Sequence, residues 1–169
     1  MHKIRDIDKR FAFYFTQFYP THPRLNEAMK FISSCGDYGM SWLIIILATN
    51  LYGPTHEMSI KMLIALIVST LVGQFGIKSI VRRPRPCHTY KNVTMLIPIP
   101  SDLSFPSGHT TASFACSTII LLYFTLFGII GMIYALLTGF SRLYLFVHYI
   151  SDVTIGMALG ILIGLIVYL

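Results

Sequence analysis

The sequence predicts an all-α fold: a polytopic membrane helix bundle of about five transmembrane helices, preceded by an amphipathic interfacial helix. Hydrophobic residues make up 54% of the 169 and charged residues only 12%, whereas a soluble domain carries about a quarter charged residues. The apolar residues gather into runs near the ~20 residues that let a helix cross a bilayer with its backbone satisfied internally. Prolines and most of the charges fall between the runs. A single domain, residues 1–169, is expected.

Ile4, Ile7, Phe11, Tyr14, Phe15 and Phe18 recur at three- and four-residue spacing with Arg5, Asp6, Asp8, Lys9 and Arg10 between them, the pattern of an amphipathic helix. It suits the membrane interface, and packing on the bundle is the alternative. Pro20 and Pro23 end the segment, and apolar spans follow at about Met29 to Leu51, Met62 to Val81, Thr110 to Phe127, Ile129 to Phe146 and Val153 to Leu169. The connection from Arg82 to Ser107 holds five prolines, so it folds as a loop over one membrane face. Its middle, Met95 to Pro100, is apolar enough to dip into the headgroup region. Counting crossings puts this loop, the N-terminus and the Arg142 to Asp152 junction on one face. No short apolar core followed by a small-residue cleavage site stands at the N-terminus, so a removable secretory signal is not expected.

The net charge of +6 is concentrated in the first thirty residues and between Lys78 and Lys91, which favours a headgroup-facing rim and an anion pocket over nucleic acid. Cys35, Cys87 and Cys116 lack metal-type spacing. Cys87 lies beside Pro86 in the loop and is expected to be open to reagents, with Cys35 and Cys116 shielded.

Ionisable residues at a membrane boundary need partners or a function, and they cluster in three segments. In Lys78–Pro86, Lys78 and Arg82 stand one helical turn apart, and Pro84 then presents Arg85 from extended chain. An ammonium and a guanidinium converging there suit a phosphate, while Arg82 and Arg83 need be no more than a headgroup anchor. In Pro106–Ser107–Gly108–His109, Ser107 is placed to cap the following helix, the Gly108 and His109 amides can face an anion, and His109 can give a proton to a leaving oxygen. An ordinary cap with an interfacial histidine is the alternative. In Ser141–Asp152, His148 and Asp152 are four apart and would share a helix face, so the carboxylate could hold one ring nitrogen and leave the other as a lone-pair donor. A His–Asp pair that merely bridges helices is the alternative. Arg142 would lie about 120° from His148 on a continuous helix, so a bend between them is expected.

Together the segments resemble the three-part signature of the type 2 phosphatidic acid phosphatases and the vanadium haloperoxidases, K-x6-R-P, P-S-G-H and S-R-x5-H-x3-D, with every specified position met. The resemblance implies that Lys78, Arg85, Ser107, Gly108 and Arg142 bind phosphate, that His148 attacks phosphorus, that Asp152 orients it, and that His109 protonates the leaving group. Water then hydrolyses the phosphohistidine. It implies no cofactor and no metal, with a membrane lipid phosphate and the bilayer as partners. The short chain resembles the bacterial undecaprenyl pyrophosphate phosphatases, which favours a polyprenyl diphosphate substrate. Phosphatidylglycerophosphate, phosphatidate and lipid A are alternatives, as are phosphoryl transfer to an acceptor other than water and a non-catalytic lipid-phosphate binder or transporter.

The positive-inside rule applied to Lys3, Arg5, Lys9, Arg10, Arg24 and Lys30 would place the site in the cytoplasm. The resemblance implies the extracytoplasmic face of the cell membrane. An amphipathic segment binds headgroups on either side, so the second expectation is preferred.

Overall fold

The computed structural model describes residues 2–169, with side chains from Asp6 onward. Lys3, Ile4 and Arg5, used in the N-terminal reading, have side chains outside the described residues. Among the described residues every regular element is helical: α1 (His2–Thr16), α2 (Pro23–Cys35), α3 (Met40–Asn50), α4 (His56–Thr70), α5 (Lys78–Val81), α6 (Pro86–Thr89), α7 (Gly108–Tyr123), α8 (Thr125–Tyr144) and α9 (Ile150–Tyr168).

The Met29 to Leu51 span is not one helix. α2 ends at Cys35, the chain turns through Asp37–Gly39, and α3 leaves at 51° to α2. Tyr38 (φ 55°) and Gly39 (φ 70°) are both left-handed there, a conformation that breaks the α-helical ladder. The next span continues from α4 through a π-helical segment, Leu71–Ile77, into α5. A π segment re-aims the residues that follow it, and the first of these is Lys78. The last three spans form within a few residues of their expected limits.

By length and hydropathy, α4 with its continuation, α8 and α9 can each cross a membrane, and the bent α2–α3 pair makes a fourth candidate. At 16 residues, α7 is shorter. It is nevertheless the centre of the bundle, packed against α4, α8 and α9, with Ala115, Cys116, Ile119 and Ile120 joining Trp42, Met62, Leu66 and Ile163 in the core.

The α7–α9 contact is set by glycine. Gly156, Gly160 and Gly164 form a stripe one turn apart on α9. A Cβ at Gly160 would stand 2.4 Å from the Thr111 carbonyl oxygen, and one at Gly164 2.7 Å from Thr118 Cβ. Small residues at this spacing let helix backbones touch in lipid. Gly160→Ala is therefore expected to force the helices apart and cost about 1–3 kcal/mol, read as a lower unfolding temperature in detergent. Gly53→Ala, whose Cβ meets nothing within 4 Å, should leave that temperature unchanged.

α1 lies across one end of the bundle and its aromatic stripe is divided, with Phe15 and Phe18 packed on the cluster around Tyr144. Asp8 and Ala12 are buried, while Ile7, Phe11 and Tyr14 remain exposed. The loop middle also departs from expectation. Met95, Leu96 and Ile97 fold back on the cluster of Met29, Tyr144, Leu145, Phe146 and Val147, and Ile99 is exposed.

Candidate active site

The α2–α3 turn, the start of α5, the loop from Arg82 to Ser107, the start of α7, the end of α8 and the start of α9 meet at one end of the bundle. There Lys78, Arg85, Ser107, Arg142, His148 and Asp152 are all buried, with Gly108 and His109 half-buried. The fold brings the residues expected at the site from the sequence to this one end. How several of them are held differs from the expectation.

Arg85 is the central donor. Its Nη1 lies 2.9 Å from both the Val147 carbonyl oxygen and His148 Nε2. A guanidinium only donates, so Nε2 is the acceptor and the ring proton sits on Nδ1. Nδ1 faces Asp152 Oδ2 at 3.6 Å, an orienting contact longer than a hydrogen bond. The pair does not share a helix face. α8 stops at Tyr144, Phe146 takes φ 60°, and His148 precedes α9, whose first residue is Ile150. Asp152 is the third residue of α9 and accepts from the Tyr149 amide at 2.9 Å, closing the turn that brings it behind the imidazole. The expected bend between Arg142 and His148 is present.

His148 is held well below the ordinary histidine pKa, first by burial and then by the charges of Arg85, Arg142, Lys78 and His109. Nε2 thus stays unprotonated, its lone pair accepting from Arg85, where an exposed histidine would be protonated. The sign is direct: kcat/KM should stay level as pH falls through 6.5, the ordinary value, and drop only at lower pH. An acid limb centred at that ordinary value and not shared by the substrate's own phosphate ionisation would show that the imidazole is not shielded in this way.

Asp102, which no motif includes, bridges the two cations. Its carboxylate accepts from Lys78 Nζ and, at 2.7 Å, from Arg85 Nη2, while its backbone carbonyl accepts from Arg85 Nε at 2.9 Å. Burial acts to raise its pKa, but hydrogen bonds and the charges of Lys78 and Arg85 prevail and hold it well below the usual carboxylate range. Arg142 donates to Ser33 Oγ on α2, and its Nε has no hydrogen-bond partner among the described residues. Ser107 is at the N-cap of α7 but makes no side-chain cap. Its Oγ accepts from Thr110 Oγ1 at 2.9 Å, and its amide donates to the Asp152 carbonyl.

Arg82 and Arg83 separate sharply. Arg82 is exposed, takes φ 50° at the end of α5, and turns away from Lys78 to donate to the Ser79 carbonyl. Arg83 is no surface anchor: Nη1 donates to Asp152 Oδ1 at 2.6 Å and Ser151 Oγ at 2.7 Å, Nη2 to Asp8 Oδ2 at 2.6 Å. Asp8 also accepts from the Ser151 amide and hydroxyl. Asp152 accepts from Ser104 as well, so the carboxylate behind His148 is fixed from three sides. Arg83→Ala frees one oxygen of Asp152 and leaves Asp8 buried without its cation. Misplacements of this kind cost up to about a hundredfold in rate. The expected result is a fall in kcat with KM little changed, against no effect for Arg82→Ala, measured by phosphate release. The Arg83–Pro84–Arg85 spacing was the available signal, since residues two apart in extended chain point to the same side.

Two of the three thiols are reversed from expectation, with Cys87 buried and Cys35 partly exposed, while Cys116 is buried as expected.

Residues 59–169 match the PAP2 superfamily. The chain is 34% identical over 148 residues to the undecaprenyl-diphosphatase BcrC of Bacillus subtilis, covering 85% of this chain and 74% of that protein. It is 30% identical over 137 residues to an undecaprenyl-diphosphatase of Sulfolobus acidocaldarius, covering 80% of this chain and 66% of that one. This chain thus spans about two thirds to three quarters of those relatives. The crystal structure of a transmembrane PAP2-type phosphatidylglycerolphosphate phosphatase from Bacillus subtilis superposes with a TM-score of 0.81 at 25% identity, covering 99% of this chain and 85% of that one.

Proposed function

The chain belongs to the PAP2 superfamily, and on that premise we propose that it is a membrane lipid phosphatase whose substrate is a polyprenyl diphosphate of the undecaprenyl type. His148 Nε2 attacks the terminal phosphorus, Asp152 holds the imidazole by its Nδ1 side, and Lys78, Arg85, Arg142 and the Ser107–Gly108 turn carry the phosphoryl oxygens. His109 gives a proton to the leaving oxygen and then takes one from the water that releases phosphate. The observation that carries this reading is the Arg85 bond to His148 Nε2. It ties the nucleophile's lone pair to a cation of the phosphate pocket, where developing charge on the phosphoryl oxygens needs fixed donors.

A substrate panel on purified protein in EDTA tests it, comparing undecaprenyl diphosphate, phosphatidylglycerophosphate and phosphatidate by phosphate release. Fastest release from the diphosphate is expected. No release from any lipid by folded protein would leave the binder or transporter reading standing. The phosphatidylglycerolphosphate phosphatase fold is what makes that lipid the main competitor.

Five crossings complete the architecture, with α7 as the fifth. Its 16 residues span about 24 Å at 1.5 Å per residue, and its neighbours α4, α8 and α9 shield it from lipid. α1 lies in the interface, with Ile7, Phe11 and Tyr14 facing the acyl boundary and Lys9 and Arg10 the headgroups. The catalytic end faces the extracytoplasmic side. Since Cys87 is buried, the reporter is a single cysteine at exposed Lys91, introduced after the native thiols are replaced. Labelling by an impermeant reagent on intact cells is the expected result, and labelling only after lysis would reverse the orientation.

A further inference from the structure

His109 is held by a carboxylate outside all three motifs. Asp37 Oδ1 in the α2–α3 turn lies 2.9 Å from His109 Nε2. The preceding residue shapes the contact: a Cβ on Gly36 would stand 2.7 Å from His109 Cδ2, so the ring rests on bare backbone and only glycine admits it. The turn also holds Tyr38 at φ 55°, although that side chain is 97% exposed and packs on nothing that would favour the conformation. A strained residue beside a reactive group is a mark of imposed geometry. The strained conformation is what bends α2 into α3 beside α7, next to the imidazole.

Resting on the reading of His109 as the proton donor, we propose that Asp37 is its positioning residue. Asp37 accepts the Nε2 proton, which fixes the ring plane and leaves Nδ1, without a hydrogen-bond partner among the described residues, to carry the proton that moves. The charged groups acting on His109 are Asp37 from the α2–α3 turn, Arg142 from α8 and Arg85 from the loop, with His148 across the site. Two cations oppose a third positive charge on the imidazole, and among the described residues Asp37 is the anion that supports it. As the bond from His148 Nε2 to phosphorus forms, the phosphorus–oxygen bond breaks with its electron pair on oxygen, which takes the Nδ1 proton. In the second half, water gives a proton to the same nitrogen while its oxygen displaces Nε2 of His148 from phosphorus.

The dependence on leaving group tests this. An alkyl phosphate such as a short-chain phosphatidate must expel an alcohol and needs the proton, whereas p-nitrophenyl phosphate expels a stable anion and needs little help. Purified full-length Asp37→Asn, an isosteric change at an exposed turn, should lower the ratio of alkyl to aryl rates at least about tenfold. His109→Ala should lower it in the same direction, and the double variant should add little to His109→Ala alone. Equal losses on both substrates, or no loss on either, would overturn the proposal. The His148→Ala control separates the two readings. Activity surviving in that variant defeats the phosphohistidine mechanism, while a changed leaving-group ratio in Asp37→Asn still stands or falls independently.

Discussion

His148→Ala is expected to reduce phosphate release at least about a thousandfold while the protein remains folded in detergent. The side chain is 1% exposed, its Nε2 is turned into the cation pocket by Arg85, and Asp152 stands behind Nδ1. His109 is engaged with Asp37, and His22, His56 and His88 are exposed. Water remains as a nucleophile, with the phosphate-binding donors intact, which accounts for the residual rate such variants keep. Rapid quench with a phosphorus-labelled substrate should trap a base-stable, acid-labile phosphoprotein from the native enzyme and none from the variant. Substantial turnover without the trapped species would defeat the assignment.

The second large effect is expected at Arg85. Arg85→Ala removes one guanidinium that simultaneously contacts the Val147 carbonyl, His148 Nε2, and both the carboxylate and carbonyl of Asp102. The loss therefore reaches transition-state charge, nucleophile orientation and the closing of the loop together. One preorganised donor is commonly worth about a hundred- to a thousandfold, and a fall in kcat/KM of that size is the expected result. Arg85→Lys should recover little, because a point ammonium cannot span the same set of acceptors. Vanadate inhibition should weaken in parallel. Near-native kcat/KM in either variant would move the phosphate site elsewhere.

The motif spacings located the buried ends of α5, α7, α8 and α9 because each combines a local chain instruction with an ionisable residue: Pro84 stops α5, and Ser107–Gly108 starts α7. What periodicity could not supply was the partner across the fold. Asp8 and Arg83 lie 75 residues apart, and a helical wheel of α1 reads Asp8 as one charge among those between the aromatics, whereas in the fold it is buried and holds the helix down. Nor could it reveal Asp37 or Asp102, single carboxylates in turns with no repeat to mark them. The His148–Asp152 spacing was right for the wrong geometry. Four residues suggested a helical turn, and the chain instead uses a junction in which Asp152 folds back onto the Tyr149 amide. The Met29 to Leu51 run reads as one span only when hydropathy is averaged over Gly36, Asp37 and Gly39, and that average does not register the left-handed pair at Tyr38–Gly39.

With Lys78 and Arg85 as the proposed phosphate donors, the Asp102 bridge would make substrate entry an exchange reaction. Lys78 and Arg85 already share a carboxylate, so an arriving phosphate gains only the difference between itself and the anion it displaces. A singly charged oxyanion gains little from that swap. A doubly charged terminal phosphate brings more charge and a third oxygen for Arg142 or the α7 amides, and it prevails. On that proposal discrimination by charge number would arise from an internal competitor at fixed effective concentration, and the same carboxylate, returning after hydrolysis, would help expel the phosphate left behind.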